Sequence, residues 1–135
     1  MTAALKKPSI FINKKTFSKG LSIPGVNINK GINAFTSEDA YVYALRSFAA
    51  DMPGLLEKAE ESQNDSPVEY AVVLHRIKRY SSRIAADLLA EVAAELEKAA
   101  IDGDVRYILM NNPVLMETAL VLISDIESAV YLYNF

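Results

Sequence analysis

The stretch SPVEYAVVLHRIKRYSSRIAA, residues 66–86, contains the clearest helical signals in the chain. Ser66 can cap a helix, Pro67 suits the first helical position, and Glu69 completes a capping box. Behind these signals, apolar side chains recur at steps of three and four residues, which is the period of an amphipathic α-helix. The stretch therefore predicts a helix that begins at Pro67.

Two helices are predicted before this stretch. A short helix starts near Asn27, and a long one follows the start signal TSED at 36–39, in which a hydroxyl N-cap precedes acidic residues. The long helix is expected to reach about residue 61. The pair Pro53-Gly54 falls inside it and is expected to kink the helix or split it in two.

Two further helices are predicted after residues 66–86. One covers about residues 86–101, with Gly103 placed to stop it, and Asn112-Pro113 predicts the start of the last helix. The chain has no alternating strand pattern of useful length and no internal repeat. We therefore predict an all-α fold, an antiparallel four-helix bundle with a short additional N-terminal helix. The side chains expected to face its core include Tyr41, Leu45, Phe48, Met52, Leu56, Leu89, Val92, Leu96, Ala99, Leu115, Ala119, Leu122, Ile126 and Val130.

Residues 1–21 differ in composition from the rest of the chain. They contain five lysines and no acidic residue, and their apolar residues follow no sustained helical period. We interpret this segment as a flexible tail or linker, and residues 22–135 as one helical domain.

The composition narrows the classes of function. The chain has no cysteine, which excludes a disulfide scaffold and a cysteine nucleophile, and its single histidine argues against a metal site. A net charge of −3 argues against nucleic-acid binding. No apolar run has the length of a membrane span, and the sequence shows no signal peptide and no glycine-rich phosphate loop. We therefore expect a cytoplasmic protein without direct membrane insertion.

The single histidine, His75, is predicted to point away from the core. At about 100° per residue, the apolar residues of its helix cluster on the opposite side. These core-facing residues are Tyr70, Val73, Leu74, Ile77 and Ile84. The neighbours of His75 on the outer side are Ala71, Val72, Lys78, Arg79 and Ser82.

An exposed imidazole allows a limited chemistry. Its neutral form has a lone pair on one ring nitrogen and can attack a phosphoryl donor, and Lys78, one turn on, could balance the charge of the phosphoryl group. Arg76, Arg79 and Arg83 extend a basic patch that suits an acidic pocket. The simpler interpretation is an ordinary surface histidine on a solvated, charged helix face.

The sequence that starts at His75 resembles the phospho-accepting helix of histidine-containing phosphotransfer (HPt) domains. That family has a pattern close to H-x-L-K-G-S-S-A-x-L-G-A, and residues 75–86 read HRIKRYSSRIAA. The histidine, the lysine, the second serine of the pattern and the final alanine match, and isoleucine replaces both leucines. The segments on either side resemble the other helices of the family, so the similarity covers about residues 22–132.

The resemblance implies a phosphorelay module. His75 would accept a phosphoryl group from a receiver-domain aspartate and pass it to another receiver, with Lys78 balancing the charge. The implied partners are response-regulator receiver domains and a hybrid sensor histidine kinase, and the receiver would supply Mg²⁺. The chain would have no cofactor and no ATP-dependent kinase activity of its own, and it could also be the C-terminal domain of a membrane-anchored sensor kinase. The implied partner-binding residues are Ala71, Val72, Arg76, Arg79 and Ser82.

Two departures from the family pattern leave alternatives open. Arg79 and Ala85 stand where the family has glycine, and an arginine one turn after His75 could crowd an approaching receiver. The alternative function is therefore a non-catalytic adaptor that binds a receiver or kinase without efficient transfer. A third hypothesis is an unrelated helical bundle used for oligomerisation or scaffolding.

Overall fold

The computed structural model describes residues 22–133, and within them the fold is all-α, as predicted. The predicted tail, residues 1–21, lies outside the described residues. No strand occurs between residues 22 and 133. The five helices of this part of the chain are α1 (Ile28–Phe35), α2 (Glu38–Ser62), α3 (Pro67–Arg83), α4 (Asp87–Asp102) and α5 (Val105–Tyr133).

Short-range side-chain contacts define the starts of three helices. The side-chain oxygens of Asn27, Ser37 and Ser66 each accept a hydrogen bond, of 3.1–3.2 Å, from a backbone N–H three residues further on. Gly103 ends α4 with a φ of 75°, in the left-handed region that glycine adopts without a steric penalty. The predicted starts near Asn27, at TSED and at Pro67 are therefore confirmed.

The pair Pro53-Gly54 does not split α2, so that alternative is wrong. The helix runs through both residues as one element. Pro53 is exposed, so its ring displaces no side chain of the core. Met52 and Leu55, on the two sides of the pair, are buried and hold the helix against the core.

The predicted start of the last helix at Asn112-Pro113 is also wrong. Helix α5 begins at Val105, where the Asp104 carboxylate accepts a 3.1 Å hydrogen bond from a backbone N–H of the first turn. Asn112 is 1 % exposed and has a different role. Its amide oxygen accepts a 2.7 Å hydrogen bond from the Tyr70 hydroxyl, and its amide nitrogen donates to Glu60 at 3.1 Å.

The four long helices pack in a closed set of pairs. α2 and α4 each pack against both α3 and α5, and α1 packs against α2. All the predicted core-facing residues are buried except Val92, which is partly buried. None of the helices within residues 22–133 combines the length and the apolar character needed to cross a membrane.

Tyr41 of α2 and Asn27, the N-cap of α1, hold the turn between α3 and α4. The Tyr41 hydroxyl donates a 2.7 Å hydrogen bond to the Ile84 carbonyl, and the backbone N–H of Asn27 donates to the Ala85 carbonyl at 2.9 Å. Gly31 makes this possible, since a Cβ there would lie 2.3 Å from the Tyr41 ring. Ala85 itself has a φ of 63°, a conformation that favours glycine.

Candidate functional site

His75 lies on the solvent side of α3, as the helical periodicity predicts. Its side chain is 47 % exposed, whereas Leu74 and Ile77 on the opposite side are fully buried. The core-facing residues predicted for this helix are all buried. The imidazole is therefore held on a fixed helix while one side remains open to a partner.

The imidazole and the Lys78 ammonium share one carboxylate, that of Glu97 on α4. His75 Nδ1 lies 3.0 Å from Glu97 Oε2, and Lys78 Nζ lies 2.9 Å from Glu97 Oε1. The Glu97 side chain is only 16 % exposed, and that of Lys78 is 33 % exposed. The three side chains form one cluster, which we call the His75–Lys78–Glu97 cluster.

The environment of Glu97 favours its ionised form. Partial burial raises the pKa of this carboxyl, but the hydrogen bonds and charges of Lys78 and His75 outweigh that effect and hold its pKa below the usual value. An ionised carboxylate only accepts hydrogen bonds, so Nδ1 of His75 must be the donor. In the neutral imidazole the lone pair is then on Nε2, the nitrogen that Glu97 does not bind.

Glu97 is the one member of this cluster that sequence analysis missed. A usable signal existed, because α3 and α4 are joined by a short turn around Ala85 and run antiparallel. His75 lies ten positions before Ala85 and Glu97 twelve positions after it, so the hairpin brings them level. A search for an acid within α3 alone could not find a partner that the neighbouring helix supplies.

The predicted partner-binding residues share the exposed face of α3 with His75. Val72, Arg76, Arg79 and Ser82 are exposed, and Ala71 is partly buried. Arg79, one turn after His75, therefore stands beside the imidazole on the side open to solvent. The structure brings together every residue that the sequence assigned to the site, on one side of one helix.

A separate apolar cleft of about 500 Å³ lies between α2 and the end of α3. Its walls include Tyr43, Phe48 and Tyr80, and the Arg83 guanidinium lies 5.8 Å from the centre of the Phe35 ring. The cleft lies on the α2 side of α3, whereas Glu97 binds His75 from the α4 side. The cleft is therefore not part of the His75–Lys78–Glu97 cluster.

Among residues 22–133, no group of three or more histidine, aspartate or glutamate side chains is arranged to hold a metal ion.

No protein-family model, no curated protein and no solved structure matches this chain.

Proposed function

We propose that this protein is a phosphorelay module of the HPt type, in which His75 accepts a phosphoryl group from a receiver-domain aspartate and passes it to another receiver. The observation that supports it best is the half-exposed imidazole whose Nδ1 hydrogen bonds to Glu97. The helix pairing also supports the fold that this function implies. In that fold α2, α3, α4 and α5 form an antiparallel four-helix bundle and α1 is an additional N-terminal helix.

The proposed reaction uses Nε2 as the nucleophile. Its lone pair attacks the phosphorus of the aspartyl phosphate, a P–N bond forms, and the P–O bond to the aspartate breaks, so that the aspartate leaves as a carboxylate. The ring keeps its Nδ1 proton and becomes positively charged. Glu97 stabilises that charge through the existing hydrogen bond, as a carboxylate does beside other catalytic imidazoles.

The same contact assists the second transfer. When a carboxylate of the next receiver attacks the phosphorus, the P–N bond breaks and the ring leaves as neutral imidazole. A ring that is still protonated at Nδ1 is the better leaving group, because it leaves without a negative charge. Lys78, whose ammonium is held by Glu97 within one turn of His75, offsets the charge of the phosphoryl group in both directions.

The exposed face of α3 is the proposed docking surface for receivers. Arg76 and Arg79 give it positive charge, which suits the acidic pocket that surrounds a receiver aspartate, while Ala71 and Ser82 keep the profile beside the imidazole low. The receiver would bring the Mg²⁺ that its own phosphoaspartate requires. A hybrid sensor histidine kinase is the proposed source of the phosphoryl group, and the cytoplasm is the proposed compartment.

The proposal is tested by incubating the protein with phosphorylated receiver domains and measuring transfer of the label. We expect a bond that is labile in acid and stable in alkali, as a phosphoimidazole is, and no labelling of His75→Gln. Glu97→Gln should slow transfer by about ten- to a hundredfold, a typical effect of removing the partner that orients an imidazole. Glu95→Gln, at an exposed position on the same helix, is the matched control. Absence of label from a full panel of receivers would refute the proposal.

A non-catalytic adaptor is the second candidate, and the position of Arg79 favours it. This exposed side chain stands one turn after His75, where it could bind an acidic receiver surface while preventing close approach to the imidazole. For an adaptor of this kind, Arg79→Gly should raise the transfer rate by at least about tenfold. A measurable transfer rate that is unchanged by Arg79→Gly would show that Arg79 does not obstruct transfer.

A further inference from the structure

The side of α5 that faces away from the core is apolar over more than four turns. Six large apolar side chains there are each at least 45 % exposed. Monomeric proteins rarely leave a continuous apolar surface of this kind uncovered. We call this surface the outward face of α5, and its six residues are Val105, Leu109, Met110, Val114, Leu120 and Val121.

The charges on this helix segment form one symmetric pattern. Between Val105 and Val121 the only charged residues are Arg106 and Glu117, and both are exposed. They are eleven positions apart, which places them within about 20° of each other around the helix and about 16 Å apart along it. One cation and one anion therefore lie in line on the outward face, with apolar residues between and beside them.

We propose that the outward face of α5 binds the same face of a second copy of this chain. In an antiparallel arrangement with a two-fold axis between positions 111 and 112, Arg106 of each copy lies opposite Glu117 of the other. Such an isologous contact forms the pair of Arg106 and Glu117 twice and leaves neither charge without a counterion. A parallel arrangement would instead place like charges opposite each other.

The same register pairs the apolar residues at the centre of the segment, whereas Leu120 and Val121 lie beyond the ion pairs. Positions that sum to 223 lie opposite each other, so Leu109 lies opposite Val114 of the second copy, and Met110 lies opposite Pro113. These side chains occupy the centre of the contact, and the two ion pairs close its ends. This is the usual anatomy of a protein interface, with an apolar centre and a charged rim.

The proposed interface is independent of the proposed phosphorelay. α3 and α5 do not share a side of the molecule, because each packs between α2 and α4. The exposed face of α3 therefore stays open when α5 is covered, and a dimer would present two separate His75 sites. Failure of one proposal leaves the other intact.

Analytical ultracentrifugation of the full chain over a range of concentrations tests the interface. We expect a monomer–dimer equilibrium for the unchanged protein. Arg106→Glu alone and Glu117→Arg alone place like charges opposite each other and should each raise the dissociation constant by at least about tenfold. Lys58→Glu, the same charge change at an exposed position of α2, is the control and should leave the constant unchanged.

Two charge combinations test the proposed ion pairs, and the first of them is specific for the antiparallel register. The double variant Arg106→Glu/Glu117→Arg restores both pairs and should restore dimerisation. An equimolar mixture of the two single variants should form a heterodimer, because position 106 of each copy then meets the opposite charge at position 117 of the other. Circular dichroism of every variant checks that the fold is kept. A chain that stays monomeric at high concentration, or a double variant that stays as weak as the single ones, would overturn the proposal.

Discussion

The exposed faces of α3 and α5 differ in chemistry, although both helices bury an apolar stripe. On α3 the solvent side is mainly polar and basic, with Val68, Val72 and Tyr80 as its exposed apolar side chains, and it carries the histidine. On α5 the solvent side carries large apolar residues and only two charges over its first four turns. The polar residues on the face of α3 are His75, Arg76, Arg79, Ser82 and Arg83.

This difference shows that folding and partner binding place separate requirements on the two sides of a helix. The buried stripes of both helices stabilise the core through apolar burial. Ile77 of α3 and Leu115 of α5 contribute to it in the same way. The solvent sides are free of that demand. A charged face suits partners that bind and leave, whereas an apolar face suits a contact that persists.

The largest expected effect is the difference in free energy of unfolding between variants of the buried stripes and variants of the solvent sides. Ile77→Ala and Leu115→Ala remove side chains that are fully buried, and each should lower the free energy of unfolding by about 2–5 kcal/mol. His75→Gln changes an exposed position and should cost no more than about 0.5 kcal/mol, and so should Met110→Gln at protein concentrations at which the chain is monomeric. Chemical denaturation of the four variants measures the difference. A large loss at His75 would mean that its contact with Glu97 holds the fold together.

A middle-sized effect concerns the turn that ends α3. Ala85 has a φ of 63°, in a region that costs a non-glycine residue about 1–2 kcal/mol, whereas its neighbour Ala86 has an ordinary φ of −84°. Both methyl groups are buried, so the loss of burial is similar at the two positions. Ala85→Gly should therefore be more stable than Ala86→Gly by about 1–2 kcal/mol in thermal or chemical unfolding. Equal stabilities would mean that the turn relaxes around either residue.

The smallest expected effect is a pH dependence that comes from the His75–Lys78–Glu97 cluster. The pKa of Glu97 is lower in the folded chain than its ordinary value of 4.5, so its ionised form stabilises the fold. That contribution is complete above about pH 4.5 and is lost as the pH falls through the lower, folded-state pKa. The stability advantage of the unchanged protein over Glu97→Gln should therefore shrink on acidification. Lys78→Met removes the main partner of Glu97 and should flatten this trend, and a pH-independent difference would contradict the mechanism.

Local signals predicted much of the fold because their causes are local. The caps at Ser37 and Ser66 are contacts within four residues, and the buried stripes follow from the helical period. Asn112-Pro113 carries the same local signal as a helix start. Its actual role depends on contacts with Tyr70 and Glu60, which lie far away in the chain.

The candidate site divides in the same way between local and distant causes. The exposure of His75 and its proximity to Lys78 follow from one helix, so the period predicted both. Glu97 is brought to them by the packing of α4 on α3, which no pattern within α3 contains. Gly31 is also explained by a distant contact. Glycine is a weak helix former, but here its missing side chain leaves space for the Tyr41 ring.

The contact between α1 and Tyr41 also sets where a shortened version of this protein can begin. The four long helices look sufficient for a compact unit, yet removing α1 would uncover the Tyr41 ring where it packs on Gly31. It would also remove the backbone bond that holds the Ala85 carbonyl in its strained turn. An expression fragment intended for crystallisation or for fusion to another domain should therefore start no later than Ser22 and not at Glu38.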